Sequence, residues 1–183
     1  MKSFSKLMSV AVMAIAAVSF GSAFAAPAKS NSFYGDVKVG YGKVNGTING
    51  STSHDKKGGV YGLDAGYKFN RSVAAELGYL HFSKVKGSAS NIKDNTVVYL
   101  AAKGIMPVAK NVDAFGKLGI ARNHSNRPTG DNNAGKHSKY VPYLGLGVEG
   151  PISKDVKWTV GIDHAMKKGA VPAKTALTVG LGF

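Results

Sequence analysis

Lys174-Thr175-Ala176-Leu177-Thr178-Val179-Gly180-Leu181-Gly182-Phe183 alternates residue by residue. Thr175, Leu177, Val179, Leu181 and Phe183 take every second position; Lys174, Ala176, Thr178, Gly180 and Gly182, small or polar, lie between them. A β-strand turns successive side chains to opposite faces, so the stretch is a strand with one apolar face and one small or polar face. The terminal aromatic is expected where a strand that closes a barrel meets the membrane interface. The competing reading is the last strand of a soluble sheet, and the rest of the chain decides between them.

Seven more segments alternate in the same way: Phe33–Val44, Gly59–Phe69, Ser72–Phe82, Asn95–Met106, Val112–Arg122, Lys139–Glu149 and Val156–Ala165. One face of each is Leu, Val, Ala, Tyr or Ile. The other is glycine and charge: Asp36 and Lys38, Asp64 and Lys68, Glu76, Lys103, Lys117, Glu149, Lys157 and Asp163. These ten are five acids and five bases. A solvated face has no need of such balance, whereas a confined lumen does, because each buried charge must find a partner. Glycine also suits a narrow interior where side chains converge. The apolar face is therefore expected outside, against lipid, and the charged face inside.

The connections alternate as well. Asn70–Ser72, Pro107–Asn111 and Gly150–Asp155 are short; Asn45–Gly58, Ser83–Asp94, Arg122–Ser138 and Met166–Ala173 are longer and rich in Gly, Asn, Ser and Lys. Short turns at one end and long loops at the other, joined by strands of about ten residues, describe an outer-membrane barrel with both termini on the short-turn side. The prediction is an all-β chain: an eight-stranded antiparallel up-and-down transmembrane β-barrel. Tyr41, Tyr61, Tyr79 and Tyr140 are expected in one aromatic girdle, and Phe69, Trp158 and Phe183 in the other.

The N-terminus has the form of a secretory signal. Lys2 and Lys6 precede an apolar run from Leu7 to Phe20, and Ala23-Phe24-Ala25 places small residues for cleavage after Ala25. The run is shorter than the ~20 residues that span a bilayer as a helix. Residues 1–25 are thus expected to be a cleaved signal, and residues 26–183 one outer-membrane domain. With no cysteine in the sequence, neither a disulfide framework nor thiol chemistry is available.

The eight-segment pattern, the stretch Val141-Pro142-Tyr143-Leu144-Gly145-Leu146-Gly147-Val148-Glu149-Gly150 and the terminal Leu181-Gly182-Phe183 resemble the small eight-stranded outer-membrane barrels related to outer-membrane proteins A and X, over residues 33–183. The resemblance implies residence in the cell outer membrane among lipid and lipopolysaccharide. It also implies that Phe183 is the signal read by the barrel-assembly machinery. The long members add a periplasmic cell-wall-binding domain, a function that does not carry over to residues 33–183.

Several motifs point to other chemistry and are set aside. Gly145-Leu146-Gly147-Val148-Glu149-Gly150 spells GxGxxG, but Pro151 and a turn follow it where a dinucleotide site needs a helix N-terminus. Asn123-His124-Ser125-Asn126 is similar to the His-x-Ser-Asn signature of outer-membrane lipid A deacylases, yet it lacks the intervening residue, and strand geometry would send His124 and Ser125 to opposite faces. His54, His124, His137 and His164 have no paired ligand spacing. Asn45-Gly46-Thr47 and Asn49-Gly50-Ser51 read as turn chemistry rather than glycosylation sites. No enzyme, cofactor, metal or nucleic-acid partner is expected, and the barrel is expected to be a monomer.

Two constellations remain. The lumen charges are either packing ion pairs or a narrow path for ions or small solutes; an eight-stranded barrel is just wide enough for side chains to fill it, which favours packing. The loops are basic. The chain has 24 Lys+Arg against 10 Asp+Glu, and most of the surplus falls on the long-loop side: Lys56, Lys57, Lys84, Lys86, Arg122, Arg127, Lys136, Lys139, Lys167 and Lys168, with Lys174 counted alongside. These residues are expected to attract polyanions, lipopolysaccharide phosphates first and host glycans or other acidic surfaces next. The expected task is structural and surface-exposed, in envelope stability and adhesion.

Overall fold

A computed structural model describes residues 32–48, 51–83, 95–127, 135–169 and 171–183, without side chains at 46–48, 51–56, 125–127 and 135–137. The signal segment, Lys84 and Lys86 lie outside the described residues, as do the side chains of Lys56, Arg127 and Lys136. Eight strands follow in chain order: β1 (Ser32–Ile48), β2 (Ser51–Lys68), β3 (Val73–Phe82), β4 (Asn95–Ala109), β5 (Val112–Arg127), β6 (Gly135–Pro151), β7 (Lys157–Ala165) and β8 (Ala173–Gly182). Each pairs antiparallel with the next, and the sheet closes as a barrel.

The opening stretch makes the closure. β8 lies along β1 in the register Asp36↔Gly182 through Asn45↔Ala173. Gly35 N–H donates to Phe183 O (3.1 Å), and Phe183 N–H donates to Gly35 O (2.8 Å). The last residue is thus tied into the seam, with its side chain 62% exposed.

Burial is inverted relative to a soluble barrel. Asp36, Lys38, Asp64, Glu76, Lys103, Lys117, Glu149 and Asp163 are buried, while Val39, Leu63, Leu77, Leu100, Leu118, Ile120, Leu146, Ile162 and Leu177 are exposed. An apolar outer surface of this extent fits lipid and not water. Tyr41, Tyr61, Tyr79 and Tyr140 are exposed toward the long-hairpin end, and Phe69 and Phe183 toward the turn end, where Trp158 is only half-exposed and Phe33 is exposed as well.

Three expectations need correction. The segments Asn45–Gly58 and Arg122–Ser138 are largely strand, not loop. β1 and β2 stay paired through Gly46↔His54, with an irregularity between Gly46 and Ile48, and β5 and β6 pair up to Arg127↔Gly135. Both faces of a hairpin that rises above the membrane meet water, so the hydrophobic period that marks a strand fades while the ladder continues. Met166–Ala173 is also no open loop. Lys168 and Val171 form a bridge, Gly169 sits at φ 59, and Val171 is fully buried. This segment turns inward as a cap; a left-handed φ is where glycine avoids the Cβ penalty.

The third correction concerns the lumen, expected to be glycine and charge throughout. Its long-hairpin half is apolar, with Val44, Val60, Leu80, Phe82, Val97 and Val141 buried in one cluster. The glycine-rich positions let large side chains fold into the bore. A Cβ on Gly66 would enter the Tyr34 ring, and a Cβ on Gly78 would enter the Tyr99 ring.

Leu118, midway along the outward row of β5, tests the inverted burial. Leu118→Arg should destabilise the barrel in bilayers by about 2–4 kcal/mol, read from urea unfolding in lipid vesicles. A change near zero would place that face in water.

Candidate functional site

The buried charges form one chain of contacts running up the turn-end half of the lumen. Lys157 Nζ lies 3.2 Å from Asp36 and 3.1 Å from Glu149. Glu149 lies 2.7 Å from Lys103, which is 3.8 Å from Glu76. Glu76 contacts Lys117 directly, and Lys117 is 3.4 Å from Asp64. Asp64 lies 2.6 Å from Lys38, which reaches Asp163 at 3.3 Å. Acid and base alternate from Asp36 to Asp163.

Strand parity puts these side chains inside, and four aromatics that the sequence reading left out of the network hold them there. The Tyr99 hydroxyl lies 2.7 Å from Asp64 Oδ1 and 2.9 Å from Glu76 Oε1, and it accepts from Lys38 (3.2 Å) and Lys117 (3.3 Å). Tyr34 donates to Glu76 Oε2 (2.9 Å), and Tyr143 donates to Asp163. The Tyr99 and Tyr143 rings stack at 4.0 Å between centroids. Lys103 stands 4.3 Å from the Phe115 ring centroid, and Lys157 stands 4.4 Å from that of Tyr34. The signal for all four was present: each occupies an inward position of its strand.

Two lysines depart from their expected places. Lys68 is half-buried at the turn-end mouth, 5.8 Å from the Tyr34 ring, and joins no ion pair among the described residues. It is the last residue of β2, four positions past Asp64. Lys174, counted with the loops, is only 1% exposed. Its inward parity and the cap above it carry it into the lumen.

Asp36, Asp64 and Glu76 approach closely enough to resemble a metal cluster, but each already lies against a lysine ammonium. The arrangement sets each of the three carboxylates against a cation of the protein itself. A void of about 10 Å³ among Asp36, Lys38, Lys117, Thr159 and Asp163 has room for roughly one water. Gly145–Gly150 lies within β6, followed by a turn and β7. His124 is half-buried, and Asn123 beside it is fully buried in the lumen, so adjacent positions here do face opposite ways.

Of the basic outer positions, Lys57, Arg122, Lys139, Lys167 and Lys168 are exposed. They are spread around the rim on β2, β5, β6 and the cap. Arg122 donates from Nε to Ser138 Oγ (2.9 Å).

A closed eight-stranded sheet, apolar outside and ion-paired inside, is a small outer-membrane β-barrel. The chain belongs to the family of the OmpA-like transmembrane domain, whose pattern covers residues 28–183, and it resides in the outer membrane. It is 29% identical to outer membrane protein A of Serratia marcescens over 93% of this chain and 54% of that protein. Outer membrane protein P5 of Haemophilus influenzae is 32% identical over 69% of this chain and 42% of its own length. The chain therefore spans about half the length of the curated relatives it matches. Among solved structures, Neisserial surface protein A superposes with a TM-score of 0.66 at 15% identity, covering 84% of this chain and 98% of that one. The attachment invasion locus protein Ail of Yersinia pestis gives 0.55 at 16% identity, covering 83% and 99%.

Removing one partner from the charge chain should strand the others. Glu76→Gln leaves Lys103 and Lys117 short of a carboxylate and should cost about 3–5 kcal/mol in unfolding. Adding Lys117→Met should restore part of that loss, which a double-mutant cycle would show. Additive losses would mean that the pair is not coupled.

The packed lumen also predicts electrical silence. The refolded wild-type barrel should show no steady channels in planar bilayers, and reproducible steady openings would overturn the packed reading in favour of a narrow conducting path.

Proposed function

We propose that this protein is a structural, surface-exposed barrel, not an enzyme, which engages anionic surfaces through its basic outer rim. Residues 1–25 act in this reading as a signal removed on export. The charge chain from Asp36 to Asp163 serves to fill and fix the lumen, and Phe183, hydrogen-bonded into the β1–β8 seam, is the group the assembly machinery reads.

The observation that carries the binding reading is the ring of exposed cations at the long-hairpin end: Lys57, Arg122, Lys139, Lys167 and Lys168. Long hairpins face outward from an outer-membrane barrel. Lipopolysaccharide phosphates lie at the same level, so the first partner is the membrane's own anionic headgroup. The fold neighbour Ail was crystallised with a heparin analogue, sucrose octasulfate, an anion of the class that an exposed basic rim attracts. Sulfated host glycans are the second partner class on this chemistry.

Lys167 and Lys168 give the cleanest test, because both stand exposed on the cap away from the charge chain. Lys167→Glu/Lys168→Glu should weaken binding to lipopolysaccharide vesicles and to heparin, by about 1 kcal/mol for each charge lost near an anionic surface. Affinity should fall with salt for the wild type. Binding that ignores salt, or that survives the double reversal unchanged, rules the reading out.

A further inference from the structure

Three short turns join the strands at the end of the barrel away from the long hairpins, and all three repeat one pattern. An apolar residue is followed two positions later by a cation: Phe69 and Arg71 between β2 and β3, Val108 and Lys110 between β4 and β5, Ile152 and Lys154 between β6 and β7. The apolar members are 52%, 54% and 42% exposed, and all three cations are exposed. Each apolar member stands at or just past the end of a strand whose outward row is itself exposed, at Leu63, Leu100 and Leu146.

The turns hold their cations at the tip. The Phe69 and Asn70 N–H groups both donate to Val73 O (3.0 and 3.3 Å), and the Ile152 and Ser153 N–H groups both donate to Val156 O (2.8 and 2.9 Å). These two turns thus close in the same way, with Arg71 and Lys154 at their centres. Asn70 Oδ1 also accepts from the Ser72 and Val73 N–H groups, at 2.8 Å each. Ala109 pairs with Val112, which leaves Lys110 in the tip of the third hairpin. No ion pair joins any of the three cations, or Asp155 beside Lys154, to a described residue. The turns follow alternate strands of the closed order, so the tips are spread around the mouth.

An apolar side chain with a free cation beside it, repeated at one level of the bilayer, fits a ligand that offers an acyl chain and an anionic head together. Exposed apolar side chains at the headgroup boundary anchor in the acyl region. Lysine and arginine reach from there to the phosphates, and each adds attraction to an anionic leaflet. A cell-wall glycan has no acyl chain for the apolar member, and a zwitterionic lipid brings no net charge for the cation. We propose that the three turn tips form a binding surface for anionic glycerophospholipid in the periplasmic leaflet. Its phosphate lies against Arg71, Lys110 or Lys154, and its chains against Phe69, Val108 or Ile152. The surface is separate from the basic rim, which occupies the opposite end of the barrel.

Trp158 reports on this end. It is the single tryptophan of the chain, it pairs with Gly150 beside the third turn, and it is half-exposed. The refolded barrel is inserted into phosphatidylcholine vesicles in which a minor fraction of lipid carries bromine on its chains. Quenching of Trp158 fluorescence is compared for brominated phosphatidylglycerol and brominated phosphatidylcholine at equal mole fraction. Phosphatidylglycerol should be enriched beside Trp158 by about fivefold at low salt, and the enrichment should shrink as salt rises. Arg71→Gln/Lys110→Gln/Lys154→Gln should bring the two lipids to parity. Lys154→Gln alone, in the same hairpin as Trp158, should remove most of the difference, and it decides on the same criterion where the triple variant does not fold. Lys167→Glu/Lys168→Glu, at the other end, should leave the enrichment unchanged, so the rim reading can fail without touching this one. Equal quenching by the two brominated lipids in the wild type overturns the proposal, and so does an enrichment that survives the substitutions. Equal quenching together with co-sedimentation on purified cell-wall glycan, lost in the triple variant, overturns it in favour of the cell wall.

Discussion

In hydrocarbon a backbone N–H or C=O has no water to fall back on, so every polar group of a spanning strand must be paired within the sheet. A flat eight-stranded sheet would leave two bare edges. The β1–β8 seam removes them, and the reciprocal pair between Gly35 and Phe183 fastens its turn end. Everything else follows from that closure. Once the sheet is a cylinder of eight strands, its interior is only as wide as a few side chains. What lies inside must then be packed, and any charge inside must be partnered.

The lumen meets that demand in two different ways. Toward the turn end, alternating acids and lysines neutralise each other along one chain, with Tyr34, Tyr99 and Tyr143 hydroxyls supplying hydrogen bonds the ammoniums do not. Toward the long hairpins, valine, leucine and phenylalanine fill the same bore, and the buried charge there is Lys174, held by backbone carbonyls. Buried ion pairs are often no more stabilising than a well-packed apolar core. Their worth here lies in register: a one-residue slip of any strand would turn its charges into lipid.

The sequence made the parity of each strand readable, because lipid and lumen impose opposite chemistries at every second position. Parity alone therefore puts Asp36, Lys38, Glu76 and Lys117 inside. Partner choice was not readable, since it depends on the stagger between strands, which brings Lys38 of β1 to Asp163 of β7. Nor was the reach of the hairpins, where water on both faces erases the apolar period. Lys174 shows the limit most clearly. Its parity marked it as inward, but its neighbours Lys167 and Lys168 made a loop cation the natural reading. Only the inward turn around Gly169 and the burial of Val171 separate it from them.

That separation bears on how such a small barrel divides its work. The fold is shared by proteins with little sequence in common, so it says little by itself about what this chain binds. The ion-paired half of the lumen touches the turn end, and the apolar half, the cap and Lys174 lie between it and the outside. A partner arriving from outside therefore meets Lys57, Arg122, Lys139, Lys167 and Lys168 but not the buried charges. The rim can change its chemistry without disturbing the charge chain, and the charge chain can hold the strands in register whatever the rim binds. If the rim binds as proposed, stability and recognition are carried by different cations of the same chain, sorted by whether the closed sheet points them in or out.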